Sequence, residues 1–136
     1  MSNVAAGIGR GQLKVLDQRV EKKKYIFEFY KRKLGELEGI EFMPSNQWNE
    51  PNYWLSSMIL SAKVKPVDIM DALEIENIEA RPIWKPMHMQ PFFEKFDFVG
   101  SYISEKLFEK GVCLPSDTKM TDENIEKVVE TIKKLW

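Results

Sequence analysis

The sequence predicts an α+β fold in which a small sheet of about three to four strands is covered by helices and preceded by a long N-terminal helix. Three observations carry this expectation. Residues from Asn3 to about Leu37 contain no proline and repeat apolar side chains at helical steps. Four short apolar runs begin at Ile40, Tyr53, Ile78 and Val112, and helix-like segments with their own start and stop signals lie between and after the later ones.

The first segment places Leu13, Leu16, Val20, Phe27, Leu34 and Leu37 at steps of three, four or seven, which predicts one long amphipathic helix, or two joined near Gly9 and Gly11. Its polar side carries Arg19, Lys22, Lys23, Lys24, Lys31, Arg32 and Lys33, a run that reads as a solvated face. After Gly39, Ile40 to Met43 is a short strand, and Pro44 to Asn52, with Asn46, Asn49 and Pro51, is a surface loop. Tyr53 to Ala62 sets Leu55 and Ile59 with Ser57 and Ser61 on one face and Trp54, Met58 and Leu60 with Ser56 on the other, a strand partly buried on both sides.

Pro66 suits the first turn of a helix whose apolar side is Ile69, Met70 and Leu73 and which stops near Asn77. Ile78 to Pro82 is a further strand, followed to Gly100 by an irregular stretch punctuated by Pro82, Pro86 and Pro91. Ser101 is placed to cap a helix carrying Ile103, Leu107 and Phe108, with Gly111 just past its end, and Val112 to Leu114 is a strand ended by Pro115. Thr121 caps the last helix, with Asp122 and Glu123 near its positive end, Lys133 and Lys134 near its negative end, and Ile125, Val128, Val129 and Ile132 on its apolar side. A sheet layer this small needs something large against its other face.

The chain has 136 residues, 43% of them hydrophobic and 12% aromatic, enough for one compact core. Lys plus Arg number 20 against 21 Asp plus Glu, a balance that gives no general attraction to nucleic acid or to anionic membranes. The single cysteine, Cys113, has no internal disulfide partner. With no basic-then-apolar run at the N-terminus, a reducing cytoplasm is the expected compartment. No apolar stretch approaches the roughly 18 residues of a membrane-spanning helix.

One histidine and one cysteine are too few for a catalytic metal site, so no metal is expected. No nucleophile motif accompanies His88, and the glycines from Gly7 to Gly11 match neither a dinucleotide loop nor a P-loop. The stretch from Arg81 to Pro91 is different, because it gathers a guanidinium, an indole, an ammonium, an imidazole and an amide between three prolines. Arg81 and Lys85 can meet phosphate or carboxylate, Trp84 offers a flat apolar face, and His88 and Gln90 can hydrogen-bond hydroxyls or an amide. The alternative is a proline-stiffened connection whose Trp and Met side chains fill core.

Three blocks then resemble the DegT/DnrJ/EryC1/StrS family of sugar aminotransferases: M-S-N-V-A-A-G-I-G-R-G-Q-L at Met1 to Leu13, E-A-R-P-I-W-K-P-M-H-M-Q-P at Glu79 to Pro91, and G-V-C-L-P-S at Gly111 to Ser116. The W-K-P-M-H form of the second is similar to the branch acting on UDP-linked 4-keto-6-deoxy-N-acetylhexosamines. The resemblance implies the type I aspartate-aminotransferase fold, with residues 1–38 as the long helix between domains and 39–136 as an α/β subdomain, together the C-terminal small domain of such an enzyme. It implies pyridoxal 5'-phosphate in the full-length enzyme and none bound to this chain alone, because the chain begins inside an R-M-S-N motif and lacks the Schiff-base lysine, the aspartate facing the pyridine nitrogen and the phosphate-holding residues. No catalytic residue is therefore expected here, and the chain alone is expected to be inactive.

The resemblance further implies an amino group passed, from glutamate as donor, to the C4 ketone of a nucleotide sugar in polysaccharide or glycan biosynthesis. His88 and Trp84 become sugar- or nucleotide-contacting positions, Arg81 a cation at the substrate edge or in the framework, Lys85 and Gln90 further substrate contacts, and Asn3 a residue facing the cofactor. The expected partners are the sugar-nucleotide substrate, the missing large domain and a second subunit in a homodimer. Without its large domain the chain should expose apolar surface and self-associate. Two other readings stand beside this one: a separately encoded half that joins a chain carrying the large domain, and a non-catalytic module binding an acidic partner through the basic helix.

Overall fold

The computed structural model describes residues 2–61 and 63–136. Among these, the chain runs α1 (Asn3–Leu13), α2 (Leu16–Leu34), β1 (Ile40–Phe42), β2 (Ser56–Leu60), α3 (Pro66–Ile75), β3 (Arg81–Pro82), a 3-10 turn at Met87–Met89, α4 (Ile103–Lys110), β4 (Gly111–Leu114) and α5 (Asp122–Lys133). This is the α+β layout that the sequence predicts. The strands form one antiparallel sheet in the order β1-β2-β4-β3, with Phe42 opposite Met58, Met58 opposite Val112 and Val112 opposite Pro82.

That register decides which side chains reach the core. Ile40, Met58, Leu60, Val112 and Leu114 alternate onto one face, where they meet Ile26, Tyr30 and Leu34 of α2, Ile69 and Leu73 of α3, and Ile125, Val128, Val129 and Ile132 of α5. Beside this cluster Phe27 is fully buried, its ring stacked on Tyr53 at 4.0 Å and edge-on to Phe42 at 5.7 Å. The opposite face of the sheet carries Glu41, Ser57, Ile59, Gly111, Cys113 and Arg81, so it faces a different neighbour.

The helix boundaries follow their local chemistry. Pro66 opens α3, the Asp68 carboxylate takes the backbone N–H of Lys65 at 2.7 Å, and Asn77 ends the helix with φ 57. Thr121 and Asn124 exchange backbone-to-side-chain hydrogen bonds at 3.0 and 3.2 Å at the start of α5. Gly39, at φ 80, makes the turn into β1 in a conformation that a side chain would strain. No helix of the described residues is long and apolar enough to cross a membrane.

Five expectations need correction. The opening helix is two helices, and the break falls at Lys14 and Val15 rather than at Gly9 or Gly11. Both glycines sit inside α1, which buries no residue, whereas α2 is fixed by the core from Ile26 onward. From Asn3 to Leu34 the chain is thus helical on both sides of one interruption. The strand expected over Tyr53 to Ala62 pairs only from Ser56 to Leu60, since Tyr53 turns at φ 48 and the Asn52 carboxamide takes the Trp54 N–H at 3.0 Å; Ala62 lies outside the described residues. The strand expected over Ile78 to Pro82 is reduced to Arg81–Pro82, because the Ile78 N–H closes the end of α3 on the Leu73 carbonyl at 2.9 Å. Ser101 does not cap α4: Tyr102 occupies that position, in the left-handed region at φ 57.

The basic face of α2 is not simply solvated. The Lys23 ammonium donates to the Trp54 carbonyl at 3.0 Å and to the Ser116 hydroxyl at 3.4 Å, Lys33 pairs with Glu126 at 3.2 Å, and Arg19 donates to Thr118. These side chains tie α2 to the loop before β2 and to the α5 end of the chain.

Candidate functional site

β3 is the point where the chain leaves the sheet and becomes a strap across its second face. The Ile83 N–H still reaches the Gly111 carbonyl at 3.4 Å, and the Ile83 side chain fills the space where a Cβ on Gly111 would stand. The backbone at Gly111 is extended, at φ -99, so glycine serves close approach there and not a left-handed cap.

Immediately beyond, Trp84 stands two-thirds exposed with its ring 6.2 Å from that of Trp54, tilted by 31°. On one side of Trp84 lies a groove of about 510 Å³ that includes Trp54, Arg81, Lys85 and Phe108 in its walls. A second groove of about 520 Å³ on its other side is walled by Met43, Ser57, Ile59, Ile83 and Leu107. The tryptophan is thus a shared partition between two apolar slots on the open face of the sheet.

The 3-10 turn at Met87–Met89 directs His88 toward α4. Its Nε2 lies 2.6 Å from Oε1 of Glu105, and its ring stacks on Phe98 at 3.7 Å with an 18° tilt. Ser104 donates its hydroxyl to the other Glu105 oxygen at 3.1 Å. Glu105 sits in the first turn of α4, where the helix end favours a negative charge. Burial alone would raise its carboxyl; the hydrogen bonds from its own backbone, from His88 and from Ser104 outweigh that and hold it below the ordinary carboxylate range.

The remaining expected residues divide. Gln90 folds back on the turn, donating to the Lys85 carbonyl at 3.4 Å and to Met87 Sδ at 3.5 Å, so it braces the strap. Arg81 gives both Nε and Nη2 to Glu79 Oε1 at 2.8 Å, an exposed pair whose charges cancel and which adds little to stability. Lys85 is exposed. Arg81, Trp84, Lys85, His88 and Gln90 therefore share one strap. Asn3 does not join them: it is exposed in the first turn of α1. Met1, which opens the first block of family resemblance, lies outside the described residues.

Sequence reasoning missed Trp54, Phe98 and Glu105. Trp54 is separated from Trp84, and Glu105 from His88, by stretches that carry no common periodic pattern; only the folded strap brings them together. A glutamate in the first turn of a helix reads locally as a dipole partner.

A pyridoxal phosphate site needs an amine free to form an imine, an acid beside the pyridine nitrogen and donors around the phosphate. Burial lowers the Lys23 ammonium below its ordinary value, with the Asp117 carboxylate offsetting part of that, yet the group is committed to the Trp54 carbonyl and the Ser116 hydroxyl. Lys23 is therefore not free to form an imine as the chain stands.

Comparison with known proteins places these features in context. The sequence pattern of the DegT/DnrJ/EryC1/StrS aminotransferase family matches residues 1–133. EpsN of Bacillus subtilis (strain 168), which carries the name of a pyridoxal phosphate-dependent aminotransferase, is 45% identical over all of this chain and 36% of its own length. GDP-perosamine synthase of Vibrio cholerae is 30% identical over 98% of this chain and 37% of its own. The PLP form of Spr1654 from Streptococcus pneumoniae, named as a sugar aminotransferase, shares the fold with a TM-score of 0.87 at 20% identity, over 99% of this chain and 36% of that one. The chain spans little more than a third of the curated relatives that it matches.

Proposed function

The chain belongs to the DegT/DnrJ/EryC1/StrS aminotransferase family, and on that premise we propose that it is the C-terminal small domain of a pyridoxal phosphate-dependent enzyme that aminates the C4 ketone of a nucleotide-linked sugar. The donor is glutamate, and the product enters polysaccharide or glycan synthesis. The observation that carries the reading is the family match along residues 1–133, combined with a span of only 36% of EpsN. The cofactor is assigned to the remainder of such an enzyme; within this chain Lys23 is already committed to the Trp54 carbonyl and the Ser116 hydroxyl. The cofactor supplies the electron sink for amine transfer.

The role of this chain is to place the substrate. Trp84, with Trp54 beside it, offers flat apolar surface to the sugar or the base. His88 faces the substrate from the strap, Lys85 adds positive charge near the anionic linkage, and Arg81 stands at the substrate edge paired with Glu79. Asn3 is assigned to the edge of the cofactor site contributed by the other domain. The large domain covers the open apolar face, and the family reading makes the assembly a homodimer in the cytoplasm. A purely basic interaction module is less well supported, because Lys22, Lys23 and Lys33 of the α2 face have partners within the fold.

The test is a titration of this chain with pyridoxal phosphate, followed by borohydride reduction and mapping of any labelled lysine. Absence of a specific label is the expected result; stoichiometric labelling of one lysine overturns the domain assignment. Replacing the matching third of EpsN with this chain then reports function: His88→Ala and Trp84→Ala should raise KM for the sugar nucleotide while leaving the glutamate half-reaction intact. Equal loss in both half-reactions contradicts a substrate-placing role.

A further inference from the structure

We infer that Glu105 is the positioning residue of His88: it holds the imidazole by Nε2 so that Nδ1 is the edge presented to the diphosphate of the nucleotide sugar. The inference rests on the proposed function for its ligand and on geometry for its mechanism. The 2.6 Å separation and the small exposure of both side chains make this the most sheltered ion pair of the described residues. A pair in that setting is held more tightly than the other ion pairs of this chain.

Three further contacts fix the ring. Phe98 stacks on one face at 3.7 Å and prevents the imidazole from rotating about its stem. The second Glu105 oxygen is engaged by Ser104 at 3.1 Å, which orients the carboxylate toward His88. Among the described residues the one fully buried side-chain nitrogen or oxygen without a partner is Ser56 Oγ, so Nδ1 of His88, which has no hydrogen bond to any of them, keeps some contact with solvent.

The division of the two nitrogens determines what the ring can recognise. With Nε2–H given to Glu105, the neutral imidazole has only an acceptor at Nδ1, whereas the imidazolium carries a donor there. A donor with positive charge fits an anionic oxygen, and the diphosphate is the anionic part of a nucleotide sugar. The arrangement parallels the way an outer carboxylate fixes the tautomer and direction of a ligating histidine elsewhere.

His88 is the one histidine in the sequence, so its NMR signals need no assignment strategy. In the chain with ¹⁵N-labelled histidine, a hydrogen-bonded Nε2–H correlation is expected, and Glu105→Gln should weaken it and shift the ring ¹⁵N signals as Nε2 loses its carboxylate partner. Glu105→Asp should reverse part of that shift, while Ser104→Ala should change the signals little. Unchanged ring ¹⁵N shifts and Nε2–H signal in both Glu105 variants overturn the inference, whatever the function. In the EpsN chimera, Glu105→Gln should raise KM for the sugar nucleotide about tenfold with the glutamate half-reaction unaltered. Glu105→Gln should add nothing once His88→Ala is present. If His88→Ala leaves KM unchanged while the NMR coupling stands, the substrate reading fails and the pairing survives; additive losses from the two substitutions refute positioning through His88.

Discussion

The two faces of one four-stranded sheet obey different rules. On the helix side, Ile26, Leu34, Ile69, Leu73 and Ile132 are all 0% exposed and pack with Tyr30, Met58 and Val128 in one closed core. On the strap side, Trp84 is 66% exposed, Phe92 70% and Phe96 56%, and the order comes from stacked rings and one sheltered ion pair. The first face can be satisfied by the chain itself. The second leaves large aromatic groups in water, an arrangement that disfavours an isolated fold and favours a covering partner or ligand. Stability and function are thereby separated across a single layer of backbone, and substitutions can be chosen to test that separation.

The largest effect belongs to the core edge. Phe27 is buried between Tyr53 and Phe42, so Phe27→Ala removes a ring that no other side chain can replace, at a cost of about 3–5 kcal/mol. Chemical denaturation should show this as a large fall in the midpoint. A loss under 1 kcal/mol would mean that the helix side is not where stability resides.

Gly111 joins the two regions and comes second. A methyl group there meets the Leu107 carbonyl and the Ile83 side chain, both of which belong to the strap side. Gly111→Ala should cost about 1–3 kcal/mol, because the backbone carbonyl cannot rotate away. Its secondary consequence is a displaced Ile83, visible as altered fluorescence of the adjacent Trp84. A stable Gly111→Ala protein with unchanged fluorescence would separate the strap from the sheet.

How much of this was legible in the sequence follows the same division. The helices of the core side announce themselves locally, through Pro66, Asn77 and the Thr121 cap, because each signal lies within a few residues of the element it ends or starts. β3 is shorter than expected because the Ile78 N–H is claimed by α3, a competition that no strand propensity encodes. The break at Val15 escaped because the neighbouring glycines looked like the better hinge. At the site, composition pointed to residues 81–90, and family resemblance singled out Trp84 and His88. Trp54, Phe98 and Glu105 stayed hidden, since only the folded strap makes them neighbours.

A smaller effect is expected at high pH. Burial pushes the Tyr30 phenol well above its ordinary value of 10.0, and its hydroxyl donates to the Pro115 carbonyl at 2.8 Å. The folded state therefore retains this proton where the unfolded chain loses it. Stability from Tyr30 is complete below pH 10.0 and declines as pH rises above it, by up to about 1.4 kcal/mol per unit. Tyr30→Phe should lower stability at neutral pH by about 1 kcal/mol through the lost hydrogen bond, yet flatten the alkaline decline. Parallel alkaline curves for the two proteins would assign that decline to other groups.

The smallest stability change should come from the most conspicuous aromatic side chains. Trp84 and Phe92 remain largely in water, so Trp84→Ala and Phe92→Ser should each alter unfolding free energy by no more than about 0.5 kcal/mol. Trp84 does touch Trp54, but both rings remain mostly exposed, and little apolar area returns to solvent when one is removed. The same substitutions remove apolar surface that a partner must otherwise cover, so self-association of the isolated chain in sedimentation should decrease with them. If Trp84→Ala unfolds the chain as severely as Phe27→Ala, the indole is a core residue and the open face is structural. If it changes association and sugar-nucleotide KM while stability holds, an aromatic group this costly to expose is retained for what it contacts.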